Sequence, residues 1–146
     1  MPTLPEVLTD ESKKSQVIKD CCALIDAEVK DKSGISGLAI KAGFSAVKGI
    51  KPGFVEGAVE DLLPEFARVL DPLYQEAKSQ NKPIADFFSA NASRVASALL
   101  QITDAKAQRA KNSIAKGAYE KLRGSAKKNV EAAAPRLGTM IEKYGA

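Results

Sequence analysis

Two groups of basic residues have the side chains and the spacing to bind an anion. The first group is Lys41, Lys48 and Lys51, and the second is Lys116, Arg123, Lys127 and Lys128. Spacings of seven and four positions place cations along one ridge of a helix, so several of them can contact one polyanion or phosphate-bearing ligand. Alternatively, these side chains cover the edge of an apolar stripe while their charges stay hydrated. We predict that they form an anion-binding surface.

Other chemistry has less support in the sequence. The chain has no histidine, which removes the commonest general base and the commonest transition-metal ligand. The only cysteines, Cys21 and Cys22, are adjacent in a helical pattern that points their side chains about 100° apart, so we expect small buried hydrophobic residues rather than a disulfide. We therefore predict no catalytic residue, no cofactor and no metal site.

Charge is distributed unevenly along the chain. Residues 105–146 carry 10 basic and 3 acidic side chains, whereas residues 1–104 carry 12 basic and 15 acidic ones. This asymmetry favours an anionic partner near the C-terminal third, whether a nucleic acid, an anionic lipid or an acidic protein surface. A solvated basic face is the alternative interpretation.

Helices must position these side chains. Apolar residues recur at helical spacing along the chain, and no stretch alternates with period two for long enough to predict a sheet. With 146 residues, of which 45% are hydrophobic and 27% charged, the chain fits one packed domain. We expect an all-α, single-domain bundle of about five to seven helices over residues 1–146. Glycine and alanine at packing positions are compatible with a homodimer.

Proline and glycine mark the expected helix boundaries in the first half. The first helix should begin near Asp10 or Ser12, run to about Lys32 and end at Ser33-Gly34. Residues 51–53, Lys-Pro-Gly, should separate the next two helices. In the long amphipathic run that follows, Pro64 should either kink the helix or start a second piece, and Asp71-Pro72 should end it.

The second half has fewer clear boundaries. The polar residues 79–83 are the best candidate boundary between two halves of the chain. We expect one basic, alanine-rich helical segment over residues 103–122, ended or bent at Gly124-Ser125. A last segment over residues 125–144 should be kinked at Pro135.

The two basic groups lie in segments that resemble each other. Residues 41–62 match residues 116–137 at a constant offset of 75, with eight shared or similar positions that include Lys41 with Lys116 and Lys48 with Arg123. The same offset pairs Ala23-Leu24 with Ala98-Leu99. The pattern indicates two pseudo-equivalent halves, about residues 1–75 and 76–146, although two amphipathic alanine-rich helices also share residues by chance.

Three runs of residues carry a resemblance to known proteins. The runs are Ala-Ile-Lys-Ala-Gly-Phe at 39–44, Val-Lys-Gly-Ile-Lys-Pro-Gly-Phe-Val at 47–55 and Lys-Leu-Arg-Gly-Ser-Ala-Lys-Lys at 121–128. They resemble those of a bacterial family of small helical proteins of unknown function. The resemblance implies a bacterial, cytoplasmic, all-helical protein, and it supplies no activity, ligand or catalytic residue.

These observations favour a non-enzymatic binding or scaffolding protein that engages an anionic partner through its basic helix flanks. Nucleic-acid binding and peripheral association with an anionic membrane are alternatives from the same charge pattern. A helical pocket protein for an apolar ligand, or an enzyme that uses an interhelical pocket, is an alternative from another class. No uncharged stretch is long enough to span a membrane, and residues 1–14 lack a signal-peptide core, so we expect a cytoplasmic protein.

Overall fold

Seven α-helices and no strand make up the described part of the chain, so the predicted all-α bundle is confirmed. The computed structural model describes residues 3–32, 34–109 and 111–145. The helices are α1 (Leu4–Leu8), α2 (Lys14–Asp31), α3 (Gly34–Lys48), α4 (Phe54–Ser79), α5 (Ile84–Ala90), α6 (Ala92–Arg109) and α7 (Ser113–Gly145). None of the helices in these ranges combines the length and the apolar composition that a membrane span requires.

Two long helices organise the bundle. Helix α4 has 26 residues and α7 has 33, and the five shorter helices pack against one or both of them. The Tyr74 hydroxyl, near the end of α4, donates a 2.7 Å hydrogen bond to the carbonyl of Gly145 at the end of α7. The C-terminal ends of both long helices therefore meet at one end of the bundle, which we call the closed end.

The main hydrophobic core of the bundle extends to the closed end. Its buried residues come from α1, α4, α5, α6 and α7, with Val17 from α2. They are Leu4, Leu8, Val17, Leu63, Ala67, Leu70, Leu73, Tyr74, Ala77, Ile84, Phe87, Phe88, Val95, Ala134, Met140 and Ile141. Helix α5 lies especially close to α7, because a side chain at Gly138 would come within 2.6 Å of the Ala85 Cα.

The first helix differs from the prediction at its start and agrees with it at its end, since α2 ends at Asp31 with Lys32 as its C-cap. Helix α2 begins at Lys14, because the Asp10 carboxylate accepts hydrogen bonds from the backbone and the hydroxyl of Ser12 and holds a turn there. Helix α1 was not predicted, although Thr3 and Glu6 form a capping box around its start. Ser33, where the first helix was predicted to end, lies outside the described residues.

Proline does not end α4, so the predicted break at Asp71-Pro72 is wrong. The helix continues through Pro64 and Pro72, although proline inside a helix costs about 3 kcal/mol. The surrounding residues offset this cost, since Leu70, Leu73 and Tyr74 are buried in the core of the closed end. The predicted break at residues 51–53 is confirmed, because α3 ends at Lys48 and α4 begins at Phe54. Gly53 lies in the left-handed region, at φ 76°.

The boundary between α6 and α7 also differs from the prediction. The expected single segment over residues 103–122 is wrong, because α6 ends at Arg109 and α7 begins at Ser113. The Asn112 side chain caps α7 by accepting hydrogen bonds from the backbone N–H groups of Ile114 and Ala115, at 2.9 and 3.1 Å. Gly124-Ser125 does not end a helix, since α7 continues through it and through Pro135.

Two glycines on α7 give a matched test of this packing. Gly138→Ala should lower the free energy of unfolding by about 1–3 kcal/mol, because its methyl group would collide with the backbone of α5. Gly124→Ala should raise that free energy by about 0.5–1 kcal/mol, because its methyl group meets nothing within 4 Å and alanine favours a helix. Urea denaturation of the three proteins measures both changes, and equal effects at the two sites would contradict the close contact of α5 with α7.

Candidate functional site

The structure separates the predicted anion-binding residues into paired and unpaired cations. Lys48 lies 3.8 Å from Asp26 and sits over the ring of Phe44, and Arg123 pairs with Asp104. The remaining five are Lys41, Lys51, Lys116, Lys127 and Lys128. All five are exposed and take part in no ion pair among the described residues. Only the unpaired cations are free to bind an external anion without breaking an internal contact.

Asp104 is the centre of a polar cluster between α6 and α7. Arg123 donates to both of its carboxylate oxygens, at 2.8 and 3.0 Å, and the Tyr119 hydroxyl donates to it as well. The Thr103 and Tyr119 oxygens lie 2.8 Å apart. Hydrogen bonds first from Arg123 and then from Tyr119 hold the pKa of Asp104 below its usual range, whereas burial and then Asp104 raise the pKa of Tyr119.

An apolar cavity lies between α2, α3, α4, α6 and α7. We call it the inner cavity, and its volume is about 380 Å³. Its wall is apolar except for Thr103 and Cys21. The apolar side chains of the wall include Leu24, Ile25, Val47, Val55, Val59, Leu62, Phe66, Leu99, Val130, Ala133 and Leu137. Such a space is suited to an apolar group, because it offers almost no hydrogen-bond partner to water.

A second space, which we call the outer cleft, adjoins the inner cavity. It has a volume of about 400 Å³ and shares Phe44, Val47, Ala58, Leu62 and Thr103 with the inner cavity. Its polar lining side chains are Thr103, Lys106, Lys116 and Tyr119. Both charged groups in this lining are therefore cations, and Lys116 is the predicted site residue that the structure places at a cavity.

The cavity exists because the bundle is packed differently at its two ends. The N-terminal half of α4 faces α2, α3 and α7 across the inner cavity, and its residues Val55, Val59 and Leu62 are only half-buried. In the C-terminal half of α4, Leu73, Tyr74 and Ala77 are buried and line neither space. The end of the bundle that contains the cavity is therefore the open end.

Residues 75 positions apart line the same space. Both members of the pairs Leu24 and Leu99, Val55 and Val130, Ala58 and Ala133, and Leu62 and Leu137 line the inner cavity. Both members of the pairs Ile40 and Ala115, Gly43 and Ala118, Phe44 and Tyr119, and Val47 and Leu122 line the outer cleft. The internal duplication stays a prediction, but the positions it relates are the positions that build the candidate site.

The cysteines show no feature of a reactive site. Burial, followed by the charges of Cys22 and Asp20, raises the pKa of Cys21 to about 12, so its thiol stays protonated at neutral pH. Its sulfur lies 3.6 Å from the sulfur of Met140. Within the described ranges, no group of three or more His, Cys, Asp or Glu side chains is arranged to hold a metal ion.

Sequence reasoning did not identify the inner cavity or the roles of Thr103, Asp104 and Lys106. Their helix was expected to continue to residue 122, which would have placed α6 and the start of α7 on one axis. The signal that was missed is Asn112-Ser113 directly before Ile114, a typical N-terminal cap. A helix break there folds α7 back on α6 and brings Asp104 to Tyr119 and Arg123.

Comparison with known proteins gives a family without an assigned activity. A family model described as a family of unknown function (DUF6918) matches residues 4–145. Neither a curated protein nor a solved structure matches the chain at a significant level. The expected membership of a family of unknown function is therefore confirmed, and the bacterial origin stays a prediction.

The Asp104 cluster generates a prediction on pH dependence. Asp104→Asn should lower the free energy of unfolding at neutral pH by about 1 kcal/mol or less, because the ion pair is partly exposed. The folded-state pKa of Asp104 lies below its ordinary value of 3.8, so this stabilisation is complete above that pH and is lost as the pH falls below it. Urea denaturation at neutral and acid pH measures the difference. Asp61→Asn, on the exposed side of α4, is the control, and a difference that did not shrink in acid would contradict this role of Asp104.

Proposed function

Because the chain belongs to DUF6918, a family of unknown function, we propose from its geometry alone that it binds one long-chain amphipathic anion, such as a fatty acid carboxylate. The hydrocarbon chain occupies the inner cavity and the anionic group lies in the outer cleft at Lys116. The observation that carries the proposal is the adjacency of an apolar cavity to a cleft whose charged lining groups are both lysines.

The size of the inner cavity suits a single hydrocarbon chain. An apolar cavity of about 150 Å³ holds benzene, a molecule of six carbons, so about 380 Å³ holds a chain of about 15 carbons by proportion. The outer cleft then provides the further space for the last carbons and the anionic group. Thr103, which lines both spaces, marks the passage between them.

The energy of an empty cavity also favours an occupant. Apolar side chains that face an unfilled space lose dispersion contacts, and the wall of the inner cavity is almost entirely apolar. A hydrocarbon chain restores these contacts when it fills the space.

The charges of the outer cleft select an anion. The Tyr119 hydroxyl donates a hydrogen bond to Asp104, and Lys106 lies 3.2 Å from Glu65. Lys116 has no carboxylate partner among the described residues and is exposed at the surface. An anionic group at Lys116 would thus form a charge-assisted hydrogen bond without displacing an internal partner.

This proposal retains the sequence-based prediction of a non-enzymatic binding protein with an anionic partner, and it involves no chemical reaction. It moves the anion from two extended basic ridges to one position, because Lys48 and Arg123 already have carboxylate partners. The proposal also includes the pocket for an apolar ligand, which the sequence analysis gave as an alternative. The aromatic rings beside the basic residues favour this ligand over a nucleic acid, because Phe44 and Tyr119 line the outer cleft and do not form an exposed surface for stacking with bases.

Two adjacent alanines on α7 test the role of the inner cavity. Ala133 lines the cavity, whereas Ala132 is exposed. Ala133→Phe should lower the affinity for palmitate at least ~10-fold, because its ring fills the space for the chain, and should stabilise the ligand-free protein. Ala132→Phe should change neither property. Displacement of a fluorescent fatty acid and urea denaturation are the measurements, and equal affinities of both variants would contradict the placement of the chain.

Two lysines at equivalent positions test the role of the cleft. Lys116→Glu should weaken palmitate binding ~10- to 100-fold, because a carboxylate would replace the cation beside the anionic group. Lys41→Glu should leave the affinity unchanged, because Lys41 is exposed and lines neither space. The wild-type protein should also prefer palmitate to the matching alcohol, hexadecanol. Equal affinity for the acid and the alcohol would remove the anion from the proposal, and no binding of either would overturn it.

A further inference from the structure

We infer that the exposed side of the first half of α7 docks on an anionic lipid surface. This surface consists of Ile114, Lys116, Lys121, Lys127 and Lys128, and we call it the basic face of α7. All five side chains are exposed, and Ile114 is 53% exposed despite its apolar character. The choice of a lipid surface over another polyanion rests on the proposed function, because a lipid ligand must leave and enter a membrane.

The basic face is a continuous surface on one side of the helix. At 100° per residue, its five residues lie within an arc of about 160° around the axis of α7. None of its four lysines has a carboxylate partner among the described residues. Glu120, the one acidic residue in the sequence between residues 113 and 128, is exposed and lies on the same arc. Between these residues the arc therefore carries four lysines and one glutamate, a net charge of +3.

Two glycines on the same arc show that no other part of the described chain covers it. A side-chain carbon placed at Gly117 or Gly124 would meet nothing within 4 Å. Each glycine costs about 1 kcal/mol of helix stability relative to alanine, and neither has a packing neighbour in the described residues that accounts for it. A low, open surface between the lysines allows the helix backbone to come close to a flat partner.

The chemistry of the face fits lipid headgroups better than it fits a nucleic acid. Lysines beside an exposed isoleucine can pair with anionic headgroups while the apolar side chain enters the interface. A surface for single-stranded nucleic acid would instead present aromatic rings to the bases. Tyr119, the aromatic residue of this part of α7, is half-buried and lines the outer cleft.

Docking through this face would also bring the candidate site to the membrane. Lys116 belongs to the basic face and at the same time lines the outer cleft. A protein held on the membrane by this face therefore has its cleft at the level of the headgroups. An amphipathic anion can then exchange between the lipid surface and the cavity over a short distance.

Co-sedimentation with vesicles tests the inference. We expect binding to phosphatidylcholine vesicles that contain phosphatidylglycerol, weaker binding at higher salt, and none to vesicles of phosphatidylcholine alone. A variant with Lys121→Glu, Lys127→Glu and Lys128→Glu should bind the anionic vesicles at least ~100-fold more weakly, since each lysine near such a surface contributes about fivefold. The matched control reverses Lys19, Lys30 and Lys82, three exposed lysines elsewhere, and should bind like the wild type.

Palmitate binding by the same variants separates this inference from the proposed function. The triple α7 variant keeps Lys116, so it should bind palmitate like the wild type while it loses the vesicles. Equal binding to both kinds of vesicle, equal loss in both triple variants, or binding to single-stranded nucleic acid without binding to vesicles would overturn the docking inference. If the wild-type protein binds anionic vesicles but does not bind palmitate, the proposed function alone would be overturned.

Discussion

The close contact of α5 with α7 at Gly138 is the constraint on which the arrangement of the bundle depends. A helix can approach another this closely only where a side chain is absent, and Ala85 occupies the space that a side chain at Gly138 would need. Glu142, one turn further along α7, accepts a 2.8 Å hydrogen bond from the N–H of Ala85. Together with the bond from Tyr74 to Gly145, these contacts fix the closed end.

A fixed closed end allows the opposite end to stay open. The long helices α4 and α7 extend from the packed core toward α2 and α3, where apolar side chains of all four helices line the inner cavity. Ion pairs at the surface, such as Lys48 with Asp26 and Arg123 with Asp104, hold the helices around the space. These partly exposed pairs are weak, so the open end is the part of the fold that can adjust to an occupant.

The sequence could predict the helical class, but it could not predict the cavity or show that Lys48 and Arg123 have carboxylate partners. Helical spacing of apolar residues identifies a buried face without showing which helix covers it, so the half-burial of Val55 and Leu62 has no sequence signature. Local signals also failed where packing overrode them. Pro72 remains inside α4 because Leu73 and Tyr74 are buried around it, and Gly124 remains inside α7, which continues to Gly145. Asn112 is a typical N-terminal cap, but the basic, alanine-rich pattern on both sides of it indicated one continuous helix.

The two predicted halves of the chain differ where the candidate site acquires its polarity. In each half a basic residue pairs with a carboxylate on the preceding 18-residue helix, Lys48 with Asp26 on α2 and Arg123 with Asp104 on α6. The aromatic residue beside the pair is Phe44 in the first half and Tyr119 in the second, so only the second half adds a hydroxyl group to the cleft. Thr103 and Lys116 lie on this same side. An elongated ligand in a cavity with similar walls would therefore have one preferred direction, with its polar end toward α6 and α7 and its apolar end toward the core.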